Sequence, residues 1–188
     1  ETFTYEFIAK PAGTFMYHSH FEGDVQVSAG LYAPFIIEPK EPEANPPAVD
    51  KVLMISELRM TDGETFAAMP MGGMEPNYFT INGKSFPATE TITVKKGDLV
   101  RLRLMGIGQF IHPMHLHGHH AVVLERDGVP ATGSPWWVDS LNVRDGETYE
   151  IAFVADNPGV WLDHCHNLPH AAEGLLAHLM YAGYTTPY

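Results

Sequence analysis

Short apolar runs separated by turn residues recur along the chain, and this pattern predicts strands. Val52 to Ile55 is one run, Phe79 to Asn82 leads into the Asn82-Gly83 pair, and Ala121 to Leu124 precedes Asp127-Gly128. Thr148 to Val154 follows Asp145-Gly146. Thr91 to Val94 and Leu99 to Leu104 flank Lys96-Gly97-Asp98. That arrangement predicts a hairpin, because turn residues between alternating apolar positions close antiparallel pairs. No long segment carries the 3.6-residue period of an amphipathic helix, and only 171–179 suggests a short helical turn region. Strand signals at this spacing predict an all-β sandwich.

Residues 38–50 contain four prolines and no hydrophobic run, as expected of an extended linker. The piece before it is about 40 residues, too short to hold a core alone. The expected organisation is therefore residues 1–45 as the C-terminal part of a first domain with its linker, and residues 46–188 as a complete second domain. The apolar strands of 1–37 would otherwise present raw sheet edges, so a missing early half-domain, on this chain or another, is expected to cover them.

Composition narrows the function. With 45% hydrophobic and 18% charged residues the chain has the balance of a folded domain rather than a disordered one. A formal charge of −12 argues against nucleic acid, which requires a basic surface; it suits cationic substrates, or simply solubility. No apolar run reaches the roughly 18 residues of a membrane helix, and no signal peptide is visible. The single cysteine, Cys165, excludes an internal disulfide.

Histidine is the anomaly. Of 11 histidines, all but His178 fall in three short stretches, a clustering that core packing does not explain. In Asp163-His164-Cys165-His166-Asn167-Leu168-Pro169-His170, successive strand side chains face opposite ways. Cys165 then faces one side, and His164 and His166 the other. The cysteine side needs two imidazoles to make a trigonal His₂Cys copper site, which His170 and His112 can supply. A buried free cysteine and a Cys-His catalytic pair are the competing readings, and neither uses the remaining histidines. In His112-Pro113-Met114-His115-Leu116-His117-Gly118-His119, the same period puts His115 and His117 on one face, with Gly118 allowing close backbone approach. His119 and His120 fall outside this pattern and read as supporting or core histidines. Gly13-Thr14-Phe15-Met16-Tyr17-His18-Ser19-His20 repeats the His-X-His device, with Ser19 where a copper-binding cysteine could sit.

These three segments resemble the multicopper oxidases of the laccase type, whose GTxxYHSH, HPxHLHGH and HCHxxxHxxxGL motifs match residues 13–20, 112–119 and 164–175. The resemblance implies cupredoxin-like Greek-key β-sandwich domains and four coppers per functional unit: type 1, type 2 and a binuclear type 3 pair. It implies oxidation of a small reducing substrate, a phenol, aromatic amine or metal ion, coupled to reduction of dioxygen to water. Carried over residue by residue, it gives His112, Cys165 and His170 as type 1 ligands and His115 as a type 2 ligand. His20, His117 and His164 would hold one type 3 copper, and His18 and His166 the other. Cys165, His164 and His166 would form the electron path between the centres. Leu175 falls at the axial position of type 1 copper, where a leucine cannot coordinate, and the site should be more oxidising for it.

One departure matters. The family's fourth motif, typically HWHG, supplies one type 2 and one type 3 ligand and does not occur here. The spacing between His20 and His112 leaves no room for a middle domain, which resembles the small two-domain laccases, trimers whose cluster forms between subunits. The expectation is a homotrimer, periplasmic or secreted, completed by another His-X-His pair from a missing N-terminal segment or a second chain. An electron-transfer or copper-binding cupredoxin without oxygen chemistry, and a copper nitrite reductase, are the alternatives.

Further candidates carry weaker signals. Met60, Met69, Met71 and Met74 could bind Cu(I) or serve as adaptable packing. Trp136 and Trp137 could line a substrate pocket or pack in the sandwich. Asp24, Asp163 and Glu173 lie near the histidines and read as ordinary surface or turn carboxylates rather than proton donors.

Overall fold

The apolar run at 52–55 lies inside a strand of 13 residues. The computed structural model describes residues 1–66, 68, 73 and 75–187. Along these the chain forms β1 (Gly13–His18), α1 (Gly23–Ser28), β2 (Tyr32–Ile37), β3 (Val49–Thr61), β4 (Glu64–Phe66), β5 (Tyr78–Ile81), β6 (Ile92–Val94) and β7 (Leu99–Gly106). It continues as β8 (His112–Leu116), β9 (Ala121–Arg126), β10 (Val129–Pro130), β11 (Trp137–Val138), β12 (Ser140–Val143), β13 (Thr148–Val154), β14 (Val160–Cys165), α2 (Leu168–Ala172) and β15 (Leu176–Tyr181). The expected all-β sandwich is present. An eight-stranded sheet has the path β10-β9-β13-β7-β3-β4, with β11 on β9 and β5 on β3; a five-stranded sheet runs β12-β8-β14-β15-β6. Their facing sides bury one core, which includes Leu53, Ile55, Leu102, Leu104, Met114, Leu116, Ile151, Phe153 and Leu179.

Two expectations change. The hairpin at 91–104 does not form: β6 lies parallel to β15 in the small sheet, while β7 lies between β13 and β3 in the large one. The Lys96-Gly97-Asp98 turn thus carries the chain across the sandwich. Burial shows why. Alternate residues of β6 are buried, whereas seven of the eight residues of β7 are buried, as a central strand covered on both faces requires. The helical turn region also shifts. Helix α2 starts at Leu168, with Pro169 in its first turn where no N–H is needed. Beyond Gly174 the chain becomes β15, held between β14 and β6.

The outer cover of the large sheet is the first piece of the chain. β1 and β2 pair antiparallel, and Thr14 is fully buried against the second piece. Its N–H donates to Glu125 at 3.0 Å and its hydroxyl to Glu150 at 2.5 Å; Arg103 donates to that hydroxyl at 2.6 Å, and Thr148 to the Thr14 carbonyl at 2.8 Å. Arg103 also pairs with Glu150. Arg101 and Arg103 both reach Asp50, and Arg101 reaches Glu43. Residues 38–48 belong to no helix or strand, and Val49 and Asp50 already start β3. Among the described residues no helix is long and apolar enough to cross a membrane.

Candidate metal centre

Strands β8 and β14 are neighbours in the small sheet, and their register builds the centre. Cys165 is opposite Met114, His164 opposite His115 and Asp163 opposite Leu116. Alternation along β8 turns His112, Met114 and Leu116 into the core and leaves Pro113 and His115 less buried. Along β14 the same period sends Cys165 to the core side.

On that side His112, Cys165 and His170 converge, all buried, with one donor atom of each within 4.8 Å of the others. The Cys165 Sγ lies 3.8 Å from His112 Nδ1 and 3.7 Å from His170 Nδ1, and the two Nδ1 atoms are 3.3 Å apart. Metal–nitrogen bonds of about 2.0 Å and metal–sulfur bonds of about 2.3 Å, opened to roughly 120°, separate nitrogen from sulfur by about 3.7 Å. The donor set and spacing therefore fit a trigonal ion, and the chemistry of two imidazoles with one thiolate favours copper. The far side of each ring is fixed: His112 Nε2 lies 3.0 Å from Glu57 Oε2, His170 Nε2 lies 3.0 Å from the Asn167 amide, and Phe79 stacks on His170 at 4.2 Å. Burial pushes the free Cys165 thiol up to about 11 and, with His112 beside it, pulls His170 below its ordinary range. Leu175 is fully buried in the same core cluster; its carbonyl accepts the Cys165 N–H at 3.0 Å.

On the other side four imidazoles gather. His117 Nε2 and His164 Nε2 are 2.9 Å apart. His115 has ring centroids 4.7, 5.7 and 5.5 Å from those of His117, His164 and His166. His115 Nδ1 donates to the Asp139 carbonyl at 2.9 Å, and His164 Nδ1 to the Cys165 carbonyl at 2.8 Å, so both present Nε2 to the cluster. Burial lowers the affinity of His117 for a proton, and its neighbours His164, His115 and His166 add to the effect.

His18 and His20 stack on each other, centroids 4.8 Å apart, and among the described residues no ring contact joins them to the other four. They face a cleft of about 400 Å³ whose walls include Met16, Asp24, Glu57 and Gln109.

The remaining candidates divide. His119 is buried; its Nδ1 donates to the His117 carbonyl at 3.1 Å and its Nε2 accepts from the Tyr181 hydroxyl at 2.8 Å, so it supports the cluster strand. His120 is exposed, 3.8 Å from Asp139, and is not a core residue. The space left by Gly118 is filled by Trp161, whose ring would lie 2.6 Å from a Cβ there; the close approach comes from this indole. Asp24 and Glu173 are exposed, as expected. Asp163 is not a turn carboxylate: it points into the core, Oδ2 has no hydrogen-bond partner, and burial pushes it up to about 7. Trp136 and Trp137 are exposed, because both stand at the β11 edge rather than in the sandwich. Met60 lies in β3, and Met69, Met71 and Met74 lie outside the described residues. Glu57 was missed by sequence reasoning, since nothing local to β3 marks it and His112 is 55 residues away.

A family model described as multicopper oxidase matches residues 54–183, and a second of that description matches residues 1–42. The blue copper oxidase of Nitrosomonas europaea superposes on all of the chain with a TM-score of 0.88 and 37% identity, the chain covering 62% of that structure. The multicopper oxidase MmcO of Mycobacterium tuberculosis is 35% identical over 112 residues, which are 59% of this chain and 21% of that protein. A copper nitrite reductase of Nitrosomonas europaea shares the fold at a TM-score of 0.76 and 21% identity, covering 94% of this chain and 64% of that structure. The chain thus spans about three-fifths of the first structure and about one-fifth of the curated relative.

Proposed function

The chain belongs to the multicopper oxidase family, and from that premise we propose that it forms the greater part of a laccase-like oxidase that couples one-electron oxidation of a small reducing substrate to reduction of dioxygen to water. One observation carries the reading: a His₂Cys group and a four-histidine group are joined through the main chain of a single cysteine. Copper, when bound, supplies one-electron chemistry at the first group and multi-electron chemistry toward dioxygen at the second.

The chain's own residues divide the work. His112, Cys165 and His170 are the type 1 ligands, in a pocket that excludes water. Cys165 offers two routes toward the cluster, covalently to His164 and His166 and through its carbonyl to the His164 Nδ1–H. His115 is the type 2 ligand. His117 and His164, with His20, hold one type 3 copper; His18 and His166 serve the other. Leu175, buried and bonded through its carbonyl to the Cys165 N–H, would offer type 1 copper no fourth donor. Among the described residues no ring contact joins His18 and His20 to the other four, and in this reading they serve a cluster completed between protomers of a homotrimer. A further His-X-His pair, from an N-terminal segment or a second chain, fills the remaining positions. The phenol, aromatic amine or metal ion that donates electrons, and a periplasmic or secreted location, belong to the same reading.

Copper counting tests it. The assembled protein should hold four coppers per functional unit, show the intense visible band of a thiolate–copper bond, and consume dioxygen when a phenol is supplied. Two coppers per unit with turnover of nitrite would replace the reading with a nitrite reductase. The separation of His18 and His20 from the other histidines favours one second reading, an electron carrier, which would show one copper and no oxygen consumption.

A further inference from the structure

We infer that Glu57 is a positioning residue for the His₂Cys centre: it fixes the His112 tautomer and sets the centre's reduction potential through the charge it places behind that imidazole. The inference rests on the type 1 assignment above.

Glu57 and His112 are both buried, with side chains 1% and 0% exposed, and Oε2 lies 3.0 Å from Nε2. A carboxylate this deep needs donors around it. Glu57 has them on both oxygens, since Oε1 accepts the Gln109 N–H and Oε2 faces the imidazole. On the type 1 assignment His112 must keep its Nδ1 lone pair to ligate, so the imidazole donates from Nε2 to Glu57 Oε2. The proton therefore sits on Nε2, and Nδ1 keeps its lone pair directed at Cys165 and His170. Outer hydrogen bonds of this kind fix ring orientation and raise the basicity of a metal-ligating histidine.

The surrounding backbone is shaped around this carboxylate. The segment from Gly106 to Gln109 wraps it, and a Cβ on Gly108 would occupy the space of the Glu57 carboxyl group. Ile107 N–H donates to the Ile55 carbonyl at 2.8 Å, tying the same segment to β3. His112 follows three residues after Gln109, so the carboxylate sets both the imidazole and the approach of β8. An anion behind the ligand stabilises the more positive oxidation state of a bound ion. Glu57 should therefore lower the potential, opposing the absence of an axial donor at Leu175.

Two measurements test this. In the copper-loaded protein, Glu57→Gln keeps the size and an acceptor oxygen for Nε2–H but removes the charge. The visible thiolate–copper band should persist while the type 1 potential, followed by redox titration of that band, rises; an unchanged or lower potential overturns the charge role. In the metal-free wild-type chain, ¹⁵N chemical shifts of His112 should report a protonated Nε2 and a bare Nδ1; the opposite tautomer overturns the inference even if Glu57→Gln does not fold. A wild-type protein that binds copper without the visible band would sink the type 1 assignment instead, while the tautomer measurement would still decide the role of Glu57 on His112.

Discussion

The Nε2 atoms of His117 and His164 lie 2.9 Å apart, although 47 residues separate them in sequence. Two metal–nitrogen bonds of about 2.05 Å at roughly a right angle span that distance. His164 commits Nδ1 to the Cys165 carbonyl, so its Nε2 lone pair is free for an ion. Two imidazoles held this close without a metal must share a proton or repel. The depressed proton affinity of His117 follows from burial first and then from its histidine neighbours.

Replacing Cys165 with serine should abolish the intense visible absorption of the copper-loaded protein. Cys165 supplies the thiol that converges with His112 and His170, and a hydroxyl cannot provide the charge-transfer transition. Survival of the band on copper titration would overturn the assignment.

Leu175→Met should lower the reduction potential by offering a thioether to a copper that otherwise has three ligands. Leu175 is fully buried beside Cys165 in the core, and methionine is close to it in volume, so folding should survive. Redox titration reads the shift, and an unchanged or higher potential would show that Leu175 does not occupy the axial side.

Thr14→Val should loosen the first piece of the chain from the second. The change keeps the shape but removes the hydroxyl that donates to Glu150 and accepts from Arg103. Arg103 and Glu150 would still pair with each other, and leaving a buried polar group short of one partner costs about 1–3 kcal/mol, which urea denaturation should register as a lower midpoint. Phe15→Val, on the same strand and partly exposed, is the comparison, and an equal loss in both would discount the hydroxyl.

Part of the stability should be lost in acid through Asp50. Burial alone would raise its pKa, but hydrogen bonds and charge from Arg103 and Arg101 outweigh burial and hold it below its ordinary 3.8. A folded value below the unfolded one contributes stability at pH above the unfolded value, and that contribution is lost as pH falls through the folded value. Thermal midpoints measured from pH 7 down to pH 2 should drop less below pH 4 for Asp50→Asn than for the wild type. Parallel curves would remove Asp50 from the account.

The residues legible in the sequence share one property: they follow a short period along a single strand. The separation of Cys165 from His164, and of His112 from His115, comes from alternation alone, and the strands at 121–124 and 148–154 came from the same rule. What was not legible depends on which strands become neighbours. Glu57 meets His112 only because β3 carries it beneath the turn that precedes β8. The run at 91–94 carries a hairpin signal, but two covered faces on β7 and a place beside β15 decide the pairing. Asp163 reads as a surface or turn carboxylate because a lone carboxylate is seldom fully buried, yet its strand position turns it inward. Trp136 and Trp137 suit sandwich packing better than a pocket by sequence alone, and an edge strand leaves them at the surface.

The cluster should require another pair of histidines. His115, His117, His164 and His166 face one another, whereas His18 and His20 stack together over a separate cleft. The carried-over scheme supplies one of two type 2 histidines and five of six type 3 histidines. A buried ion short of ligands would be desolvated without compensation, so an active assembly should contain a further His-X-His pair. The first piece exposes Phe3, Tyr5, Phe7 and Ile8, apolar surface that such a segment would cover. Native mass spectrometry of the active, undissociated protein should therefore show a longer chain or a second polypeptide, in an assembly of three protomers. The idea would be sunk by an assembly built only of the 20.8 kDa chain that carries four coppers per protomer and reduces dioxygen to water. That result would mean that the ligands of this chain suffice without a further His-X-His pair.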